Sequence, residues 1–578
     1  MSEAQEKGEL RLTEHFSVLV YPFVHGAEGP SRERRLRHLA KFWRPWWQRL
    51  PTDHARTTAL DDTFFFLPRI RELLFPEAAT QVIDSSSGGA ATADRLNRLS
   101  IVDLLPLVPE HAVLRLTLLD ERLDELRRLR LDFKRKDDAG QSCESFGADV
   151  AVEWVDIALF PQRVGFLAIR LRLDEEQPSI DRLNAFHRYA RLVHPPAVGW
   201  VLARWSRRVP QPTAETDATS FESRDLVDFL LQRIVGAPDA HVCPKLSTFL
   251  GCLNHSCVTS RYSDSADGQI YGQASHVYAY VCLATTQPLT DRAPAVVDAP
   301  AAPPAIRSVQ HPPEPPFESP AERLLYGLAT CTDMNDPAFI PHHRVLDAMR
   351  ERSLIALWQN WQGLALHDNA AFLAFGASDF TTGALLHNVE SDYFHLYLLA
   401  LFQWTRLSIM SGELVRQGAR EDLDRDLKAV RRLLDQFMML QNRYWFREVS
   451  RRPQGLEIYR RFQQGLDVSP LYDEVEQHLR DLAEYYDRRA DRRLNSLLTF
   501  LTLIVMPLSL TVDLYGNALF QVGDFDWGKV LEARTFWSIP ITFVALAGAI
   551  GLLWLFWYVL GPGLGRLWRA IWTRIAES

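Results

Sequence analysis

The chain has 578 residues and a formal net charge of −8, with 64 basic and 72 acidic side chains. This length exceeds one ordinary hydrophobic core and predicts three to four domains. An acidic chain without a strongly basic face is not expected to bind nucleic acid. The sequence also contains no Gly-rich phosphate loop, no GxSxG motif and no nucleotide fingerprint, so we do not expect an enzyme.

Residues 1–285 are predicted to form a cytoplasmic mixed α/β domain. The stretch FSVLVYPFV, from Phe16, is typical of a strand, and so is HVYAYVCLA, from His276. Between them, two alternating segments flank a turn at residues 160–163 and predict a β-hairpin, followed by a helix from Arg182 to Leu192. The N-terminal residues are partly acidic and contain no apolar segment, so no secretory signal is expected.

A proline-rich stretch, residues 286–320, predicts an extended linker, because its composition cannot build a core. Residues 321–468 then carry large apolar side chains at helical spacing. The segments LIALWQNWQGLALHDNAAFLAF and YFHLYLLALFQWTRLSIMSGEL are therefore predicted helices of a cytoplasmic helical domain.

A single long helix is predicted to begin at Ser469 and Pro470, which suit an N-cap and a first turn. Its charged half, residues 469–496, would be a stalk, and its apolar half, residues 497–515, a first transmembrane helix. An outer loop (516–536), a second transmembrane helix (537–560) and a cytoplasmic tail (561–578) would follow. The expected fold class is α+β, with a large cytoplasmic α/β domain, a helical domain and a long stalk helix continuing into a two-helix transmembrane region.

Polar side chains in the first predicted span share one face of the helix. At about 100° per residue, the residues on or beside this face, which we predict to line a pore, are Asn495, Leu498, Thr502, Met506, Ser509 and Asp513. An ionisable group such as Asp513 is costly in a membrane segment and usually lies in a bundle interior or a water-filled path. The alternative is plain helix packing, in which the Thr502 and Ser509 hydroxyls bond to carbonyls of their own helix. Since two helices cannot enclose a pore, a symmetric homo-oligomer is predicted.

Basic residues predict an orientation in the membrane. Arginines cluster before the first predicted span and after the second, whereas the loop between them carries only Lys529 and Arg534 as basic residues. The positive-inside rule therefore places both termini in the cytoplasm, at an inner membrane. Asp524 and Asp526 make the outer loop acidic, which would concentrate cations at the pore mouth. Solvated loop carboxylates are the alternative interpretation.

The order of a long helix, Met506-Pro507, small and apolar residues, Tyr515-Gly516-Asn517, a short loop and a second apolar segment resembles the CorA family of divalent-cation transporters. That family has a YGMN signature where this chain has a variant, YGN followed by Ala518. An ungapped alignment puts Asn517 at the family's methionine, whereas deleting one residue restores it as the selectivity asparagine. The resemblance extends from the stalk onwards and is only architectural before it.

The resemblance implies a homopentamer in which Tyr515, Gly516 and Asn517 form the selectivity site at the outer mouth. A ring of Asp513 carboxylates just below it, together with Asn517, would bind the metal ion.

The sequence thus predicts a homo-oligomeric inner-membrane channel or transporter for divalent metal cations, magnesium or a related ion such as zinc, with a pore lined by the first transmembrane helix. No permanently bound cofactor is expected. The predicted partners are further copies of the chain, the lipid bilayer and the transported cations. The alternative function is a membrane-anchored effector or sensor whose cytoplasmic domains bind a soluble signal and gate the membrane region.

Overall fold

A computed structural model describes residues 10–25, 43–46, 65–75, 111–124, 126–136, 142–162, 164–193, 201–207, 226, 255–257, 273–286, 317–334, 339–418 and 423–520. The chain divides into two compact units. The first contains Met1–Glu421 and Arg432–Glu476, and the second contains Asp422–Arg431 and Gln477–Ser578. The first unit holds the β-sheet, and the second holds the greater part of the longest helix.

The first unit is built on a mixed sheet to which twelve described strands contribute. The described strands are β1 (Leu12–His25), β2 (Trp43–Pro45), β3 (Leu114–Leu118), β4 (Arg128–Lys136), β5 (Ser142–Leu159), β6 (Val164–Leu173), β7 (Leu192–Val193), β8 (Val201–Arg207), β9 (His255–Cys257), β10 (Gln273–Ala274), β11 (His276–Leu283), β12 (Leu354–Trp358), β13 (Trp361–Ala365) and β14 (Asn369–Phe375). Nine of them follow the order β12-β13-β14-β11-β1-β6-β5-β3-β2. Strand β4 pairs with β5 and β8, β9 pairs with β1, and β7 with β10 forms a separate pair.

Helices alternate with these strands along the chain and follow the last of them. Those described are α1 (Pro68–Leu74), α2 (Asp120–Asp124), α3 (Ile180–Ala190), α4 (Pro320–Thr330), α5 (His343–Arg352), α6 (Leu385–Asn388), α7 (Phe394–Gly418), α8 (Leu423–Met439), α9 (Pro453–Gly465) and α10 (Val468–Phe520). Three short π-helical segments accompany them: π1 (Phe380–Ala384), π2 (Val389–Tyr393) and π3 (Leu440–Tyr444). Four elements predicted within residues 1–285 are confirmed: the strand at Phe16, the hairpin of β5 and β6, the helix near Arg182 and the strand at His276.

Strand β11 lies inside the sheet and is buried along its whole length. Successive side chains of a strand point to opposite faces, so Tyr278 and Ala279 face different sides. Tyr278 contacts Tyr397 of α7, with 5.3 Å between ring centroids. Ser17 of β1 pairs with Ala279 and bonds to His187 of α3 on the opposite face. Helices therefore cover both faces, which explains why the central strands are almost continuously apolar.

Strands replace part of the helical domain that was predicted for residues 321–468, so this part of the expected fold class is wrong. Strands β12, β13 and β14 form within LIALWQNWQGLALHDNAAFLAF and join the same sheet as β11. Strand β14 runs parallel to β11, from the pair Val277 and Asn369 to the pair Leu283 and Phe375. Apolar spacing in this segment suits a helix or a buried strand, and hydrogen bonds from the distant strand β11 favour the strand.

The segments π1, α6, π2 and α7 follow one another without a break from Phe380 to Gly418. A π turn displaces the regular backbone hydrogen bonds, so nearby carbonyl groups need other donors. Tyr278 donates its hydroxyl hydrogen to the carbonyl oxygen of Val389 at 2.6 Å, and Tyr280 donates to that of Thr381. Two tyrosines from one face of β11 therefore stabilise both π turns.

Helix α10 is continuous over 53 residues, which confirms the long helix predicted from Ser469. It starts one residue earlier, after Asp467, which adopts a left-handed conformation with φ of +52°. The outer loop was predicted to begin at residue 516, which is wrong, because the helix continues through Gly516 and Asn517 to Phe520.

Among the described helices, none is both long enough and apolar enough to cross a membrane. The expected two-helix transmembrane region and the expected location in an inner membrane are therefore wrong. A span needs about 20 consecutive, mainly apolar residues. The first predicted span, residues 497–515, is the end of a helix whose preceding half is dense in Asp, Glu and Arg. The second predicted span, residues 537–560, lies outside the described residues, as do residues 521–536 and the tail.

Candidate functional site

Four side chains of the predicted polar stripe are described, and all four are exposed on α10: Asn495, Leu498, Thr502 and Ser509. The Thr502 hydroxyl donates to the carbonyl oxygen of Leu498 at 2.8 Å. Thr499 donates in the same way to the carbonyl oxygen of Asn495 at 2.7 Å. A threonine that gives its hydrogen to its own helix keeps its oxygen lone pairs available, which suits a cation better than an anion.

Apolar side chains beside the stripe are equally open. Leu494, Leu497, Leu498 and Leu501 each expose between 43 and 58 % of their surface. Contiguous exposed leucines form an apolar surface that water does not favour, and such surfaces commonly mark an interaction site. This part of α10 therefore lacks cover from the described residues of its own chain.

The remaining predicted site residues are described in part or not at all. Five are described only by their backbone, as part of α10: Met506, Asp513, Tyr515, Gly516 and Asn517. Asp524 and Asp526 lie entirely outside the described residues. In the described part of the chain, no group of three or more His, Cys, Asp or Glu side chains could hold a metal ion. The metal site of Asp513 and Asn517 stays a prediction.

A second polar region lies in the first unit, where the parallel strands β11 and β14 begin. We call it the Arg191 cluster, and its members are Arg191, His276, His367, Asp368 and Trp404. Arg191 is the C-cap of α3, and His276 is the first residue of β11. His367 and Asp368 directly precede β14, and Trp404 belongs to α7. Four elements that are distant in sequence therefore supply this one region.

Backbone contacts hold the elements of the cluster together. The amide and the hydroxyl of Ser275 both donate to the carbonyl oxygen of Arg191, at 2.8 and 3.1 Å. The Asn369 side chain accepts from the amide of Val277 at 2.9 Å and donates to the carbonyl of Ala329 at 2.8 Å. Asn369 thereby links β14, β11 and α4 with hydrogen bonds that are fully buried, so the positions of the cluster residues are firmly set.

His276 forms the buried side of the cluster. It is 5 % exposed, and its Nδ1 lies 2.7 Å from the backbone carbonyl oxygen of Asp368. Burial lowers the pKa of His276 to about 4, so the imidazole is neutral at pH 7. A carbonyl oxygen only accepts, which assigns the hydrogen to Nδ1 and leaves Nε2 as an acceptor. The ring meets the indole of Trp404 edge to face, with 5.6 Å between centroids.

His367 contacts the same indole, with 5.1 Å between ring centroids. More than half of its side chain is exposed, and its Nδ1 lies 3.1 Å from Oδ1 of Asp368. This hydrogen bond raises the pKa of His367 and lowers that of Asp368. Trp404 therefore contacts one neutral, buried imidazole and one exposed imidazole that takes up a proton readily.

Arg191 brings a positive charge that no described carboxylate balances by direct contact. Its Nε is buried and has no hydrogen-bond partner among the described residues, and none of their carboxylates lies within 4 Å of its guanidinium. Its charge nevertheless acts on Asp368. The hydrogen bond from His367 is the main cause of the lowered pKa of Asp368, and the charge of Arg191 contributes to it. A guanidinium stays protonated and favours planar oxygen ligands.

Another imidazole pair is buried between β1 and α3. The Ser17 hydroxyl lies 2.5 Å from Nε2 of His187, and His15 accepts the backbone amide hydrogen of Leu173 at 3.1 Å. Burial lowers the pKa of His187 to about 3 and that of His15 to about 4. Ser17 and His187 expose at most 1 % of their surface, so a substrate has no access to them. Ser17 and His187 are therefore part of the core and do not form a catalytic dyad.

The Arg191 cluster did not follow from the sequence. Its strongest local signal is the polar triplet His367-Asp368-Asn369, which interrupts an otherwise apolar run. A polar triplet between two apolar segments is typical of a turn between strands, and such turns commonly carry functional side chains. Arg191 and Trp404 have no comparable signal, because only the fold brings them near this triplet.

Comparison with family models, with curated proteins and with solved structures finds no match to this chain. The CorA-like resemblance, together with the homopentamer and the selectivity site that it implies, therefore stays a prediction.

Proposed function

We propose that this chain assembles into a symmetric homo-oligomer around helix α10 and binds divalent metal cations on the polar stripe of that helix. The observation that carries the proposal is the exposure of Asn495, Leu498, Thr502 and Ser509, together with the leucines beside them, on one continuous helix.

Further copies of α10 are the occupant that fits this surface. Covering a fully exposed leucine is worth about 1.5–3 kcal/mol, so each half-exposed leucine here would contribute about 1 kcal/mol. In a symmetric ring the same helix face meets itself around an axis, so each polar residue is repeated once per chain at the same level. The stripe would then become a series of oxygen-bearing rings.

These rings suit hard divalent cations. Asn495 offers an amide oxygen, Thr502 offers a hydroxyl oxygen whose hydrogen is already used, and Asp513 follows on the same face by helical spacing. Magnesium and its relatives prefer such oxygen ligands and retain part of their water. Movement of the cation along the stripe is the predicted activity of this arrangement.

The assembly is tested by the mass of the purified chain in solution. Leu498→Gln should reduce the oligomer to smaller species, because it places an amide in the proposed interface. Met438→Gln is the matched control, since Met438 is 50 % exposed on α8 and belongs to no proposed interface. A wild-type monomer at micromolar concentration, or an oligomer that Leu498→Gln leaves unchanged, would contradict the proposal.

Cation binding is tested by equilibrium dialysis against magnesium, zinc and cobalt. Asp513→Asn should remove most of the bound metal. Asp481→Asn makes the same change at an exposed position nearer the start of α10 and should leave binding intact. Equal metal binding by both variants and the wild type would show that the stripe is not the site.

A second candidate function is a sensor in which the first unit binds a dissolved signal. The observation that favours it is the Arg191 cluster, where the charge of Arg191 acts on Asp368 and the exposed imidazole of His367 contacts the indole of Trp404. A change in oligomer size on addition of a ligand would distinguish the sensor from a constitutive cation-binding assembly.

A further inference from the structure

We infer that a charged contact helps to hold the homo-oligomer together, in which a basic segment of one copy docks on an acidic stretch of the next copy. The basic segment is residues 443–452, and the acidic stretch is residues 473–476, near the start of α10. This inference rests on the proposed assembly around α10 and adds a second contact to it.

The basic segment is an exposed concentration of positive charge. It contains four arginines and one glutamate, which gives it a net charge of +3 in a chain whose formal net charge is −8. All five charged side chains are exposed: Arg443, Arg447, Glu448, Arg451 and Arg452. Tyr444, Phe446 and Val449, which lie between them, are buried. The apolar residues of the segment therefore anchor it to the fold, and its charges lie on the outside.

Arg69 of α1 adds a fifth arginine to this surface. Its guanidinium donates a hydrogen bond to the backbone carbonyl oxygen of Asn442 and lies 5.5 Å from the ring centroid of Phe446. The amide of Leu67 also donates to the carbonyl oxygen of Val449 at 3.0 Å, which fixes α1 against the segment. These direct contacts place Arg69 beside the basic segment.

None of these five arginines has a carboxylate within 4 Å among the described residues. Exposed arginines elsewhere in the fold do pair with acids. Arg127 lies 2.5 Å from Asp124, and Arg352 lies 2.7 Å from Asp467. Neighbouring like charges repel one another, and an acidic surface on another molecule relieves that repulsion.

The acidic stretch has the complementary charge. It contains three acidic side chains and no basic one: Asp473, Glu474 and Glu476. Asp473 and Glu474 are exposed, and no described basic group lies within 4 Å of them. The helix dipole favours acidic side chains within the first turn of a helix, but the first turn of α10 contains none. The dipole therefore does not account for the acidic stretch.

Packing places the two charged regions at the same level along α10. Trp445, in the middle of the basic segment, contacts Tyr472, with 4.2 Å between ring centroids. Tyr472 directly precedes the acidic stretch. Successive side chains of a helix diverge by about 100°, so Asp473 and Glu474 point away from Trp445. Rotation about an axis along α10 keeps this level, so the basic segment of one copy and the acidic stretch of the next meet there.

The test is the concentration at which the oligomer of the full chain dissociates, measured from its mass in solution. Arg447→Glu together with Arg451→Glu should raise this concentration by about tenfold or more, because acidic groups then face an acidic stretch. Asp473→Arg together with Glu474→Arg should do the same, since basic groups then face the basic segment. The wild-type oligomer should also dissociate more readily at about 0.15 M than at about 0.01 M salt.

The control reverses the same number of charges at another place. Arg122→Glu together with Arg128→Glu changes two exposed arginines, one on α2 and one on β4, and should assemble like wild type. The circular dichroism spectrum of each variant should match that of wild type, because all the substituted side chains are exposed.

Mixing the two reversed variants tests whether the contact joins different copies. In the mixture, the new glutamates of one variant meet the new arginines of the other, and the unchanged regions also face opposite charges. The dissociation concentration should therefore return towards that of wild type. A contact within one copy would not be restored by mixing.

Reversed variants that assemble like wild type, or a mixture that does not recover, would overturn the inference. Arginine reversals that leave the mass unchanged and abolish binding to phosphatidylserine vesicles would assign the basic segment to a lipid surface, which would also overturn it.

Leu498→Gln separates this inference from the proposed function. An oligomer that Leu498→Gln dissociates and the charge reversals do not would overturn the charged contact alone. The converse result would contradict the assembly around α10 alone, and a wild-type monomer would contradict both.

Discussion

Acidification should destabilise the first unit strongly, because three of its histidines are held neutral by burial. Their pKa values are lowered from 6.5 to about 4 for His15, about 3 for His187 and about 4 for His276. The unfolded chain binds more protons than the folded one between these values and pH 6.5. Stability is therefore complete above about pH 6.5 and is lost as the pH falls towards the folded pKa values.

The magnitude follows from the shifts. Protonation of a histidine stabilises the unfolded chain by about 1.4 kcal/mol for each pH unit below 6.5. At pH 5 this lowers the free energy of unfolding by about 2 kcal/mol for each histidine that stays neutral in the folded chain. Three such residues together lower the free energy of unfolding by about 6 kcal/mol, and many domains have only about 5–15 kcal/mol in total. We therefore expect the first unit to be close to unfolding at pH 5 and 25 °C.

Urea unfolding followed by tryptophan fluorescence at pH 7 and pH 5 measures this loss. His187→Gln should reduce the loss between the two pH values by about 2 kcal/mol, since one buried imidazole is gone. His343→Gln is the control, because His343 is exposed, and its loss should equal that of wild type. If His187→Gln and wild type lose the same free energy of unfolding between pH 7 and pH 5, the assignment of His187 as a buried, neutral group is refuted.

Two further predictions concern packing and buried hydrogen bonds. Gly465→Ala should lower the free energy of unfolding by about 3 kcal/mol or more, because the added Cβ would lie 2.6 Å from the carbonyl carbon of Ala365 and overlap its oxygen. Gly383→Ala is the control, because the added Cβ meets nothing within 4 Å, and it should change stability little. Equal losses of stability in the two variants would contradict the close approach of α9 to β13. Asn369→Leu should cost about 2–4 kcal/mol in thermal unfolding, since the Val277 amide loses its buried acceptor. A loss below about 0.5 kcal/mol would show that this amide finds another partner.

Several elements could be predicted from the sequence because their own residues carry the signal. Strand β1 and the hairpin of β5 and β6 show alternation or continuous apolar runs, and the turn between β5 and β6 contains Gln162 in a left-handed conformation with φ of +58°. The polar stripe on α10 also follows from spacing alone, and its four described members are exposed together. The predicted two-span membrane region was wrong, because residues 497–515 continue a helix whose preceding half is densely charged, and none of the described helices is both long enough and apolar enough to span.

By itself, the sequence determined the features that depend on neighbours along the chain: the continuity of helix α10 and the face shared by Asn495, Thr502 and Ser509. A helix closes its hydrogen bonds within four residues, so local residue types are sufficient to specify it. Only the tertiary structure decided that β14 is a strand rather than a helix, because its partner β11 begins 93 residues earlier, at His276 against Asn369. The Arg191 cluster depends on that same pairing, since the parallel starts of β11 and β14 bring His276 to Asp368, beside Arg191 and Trp404.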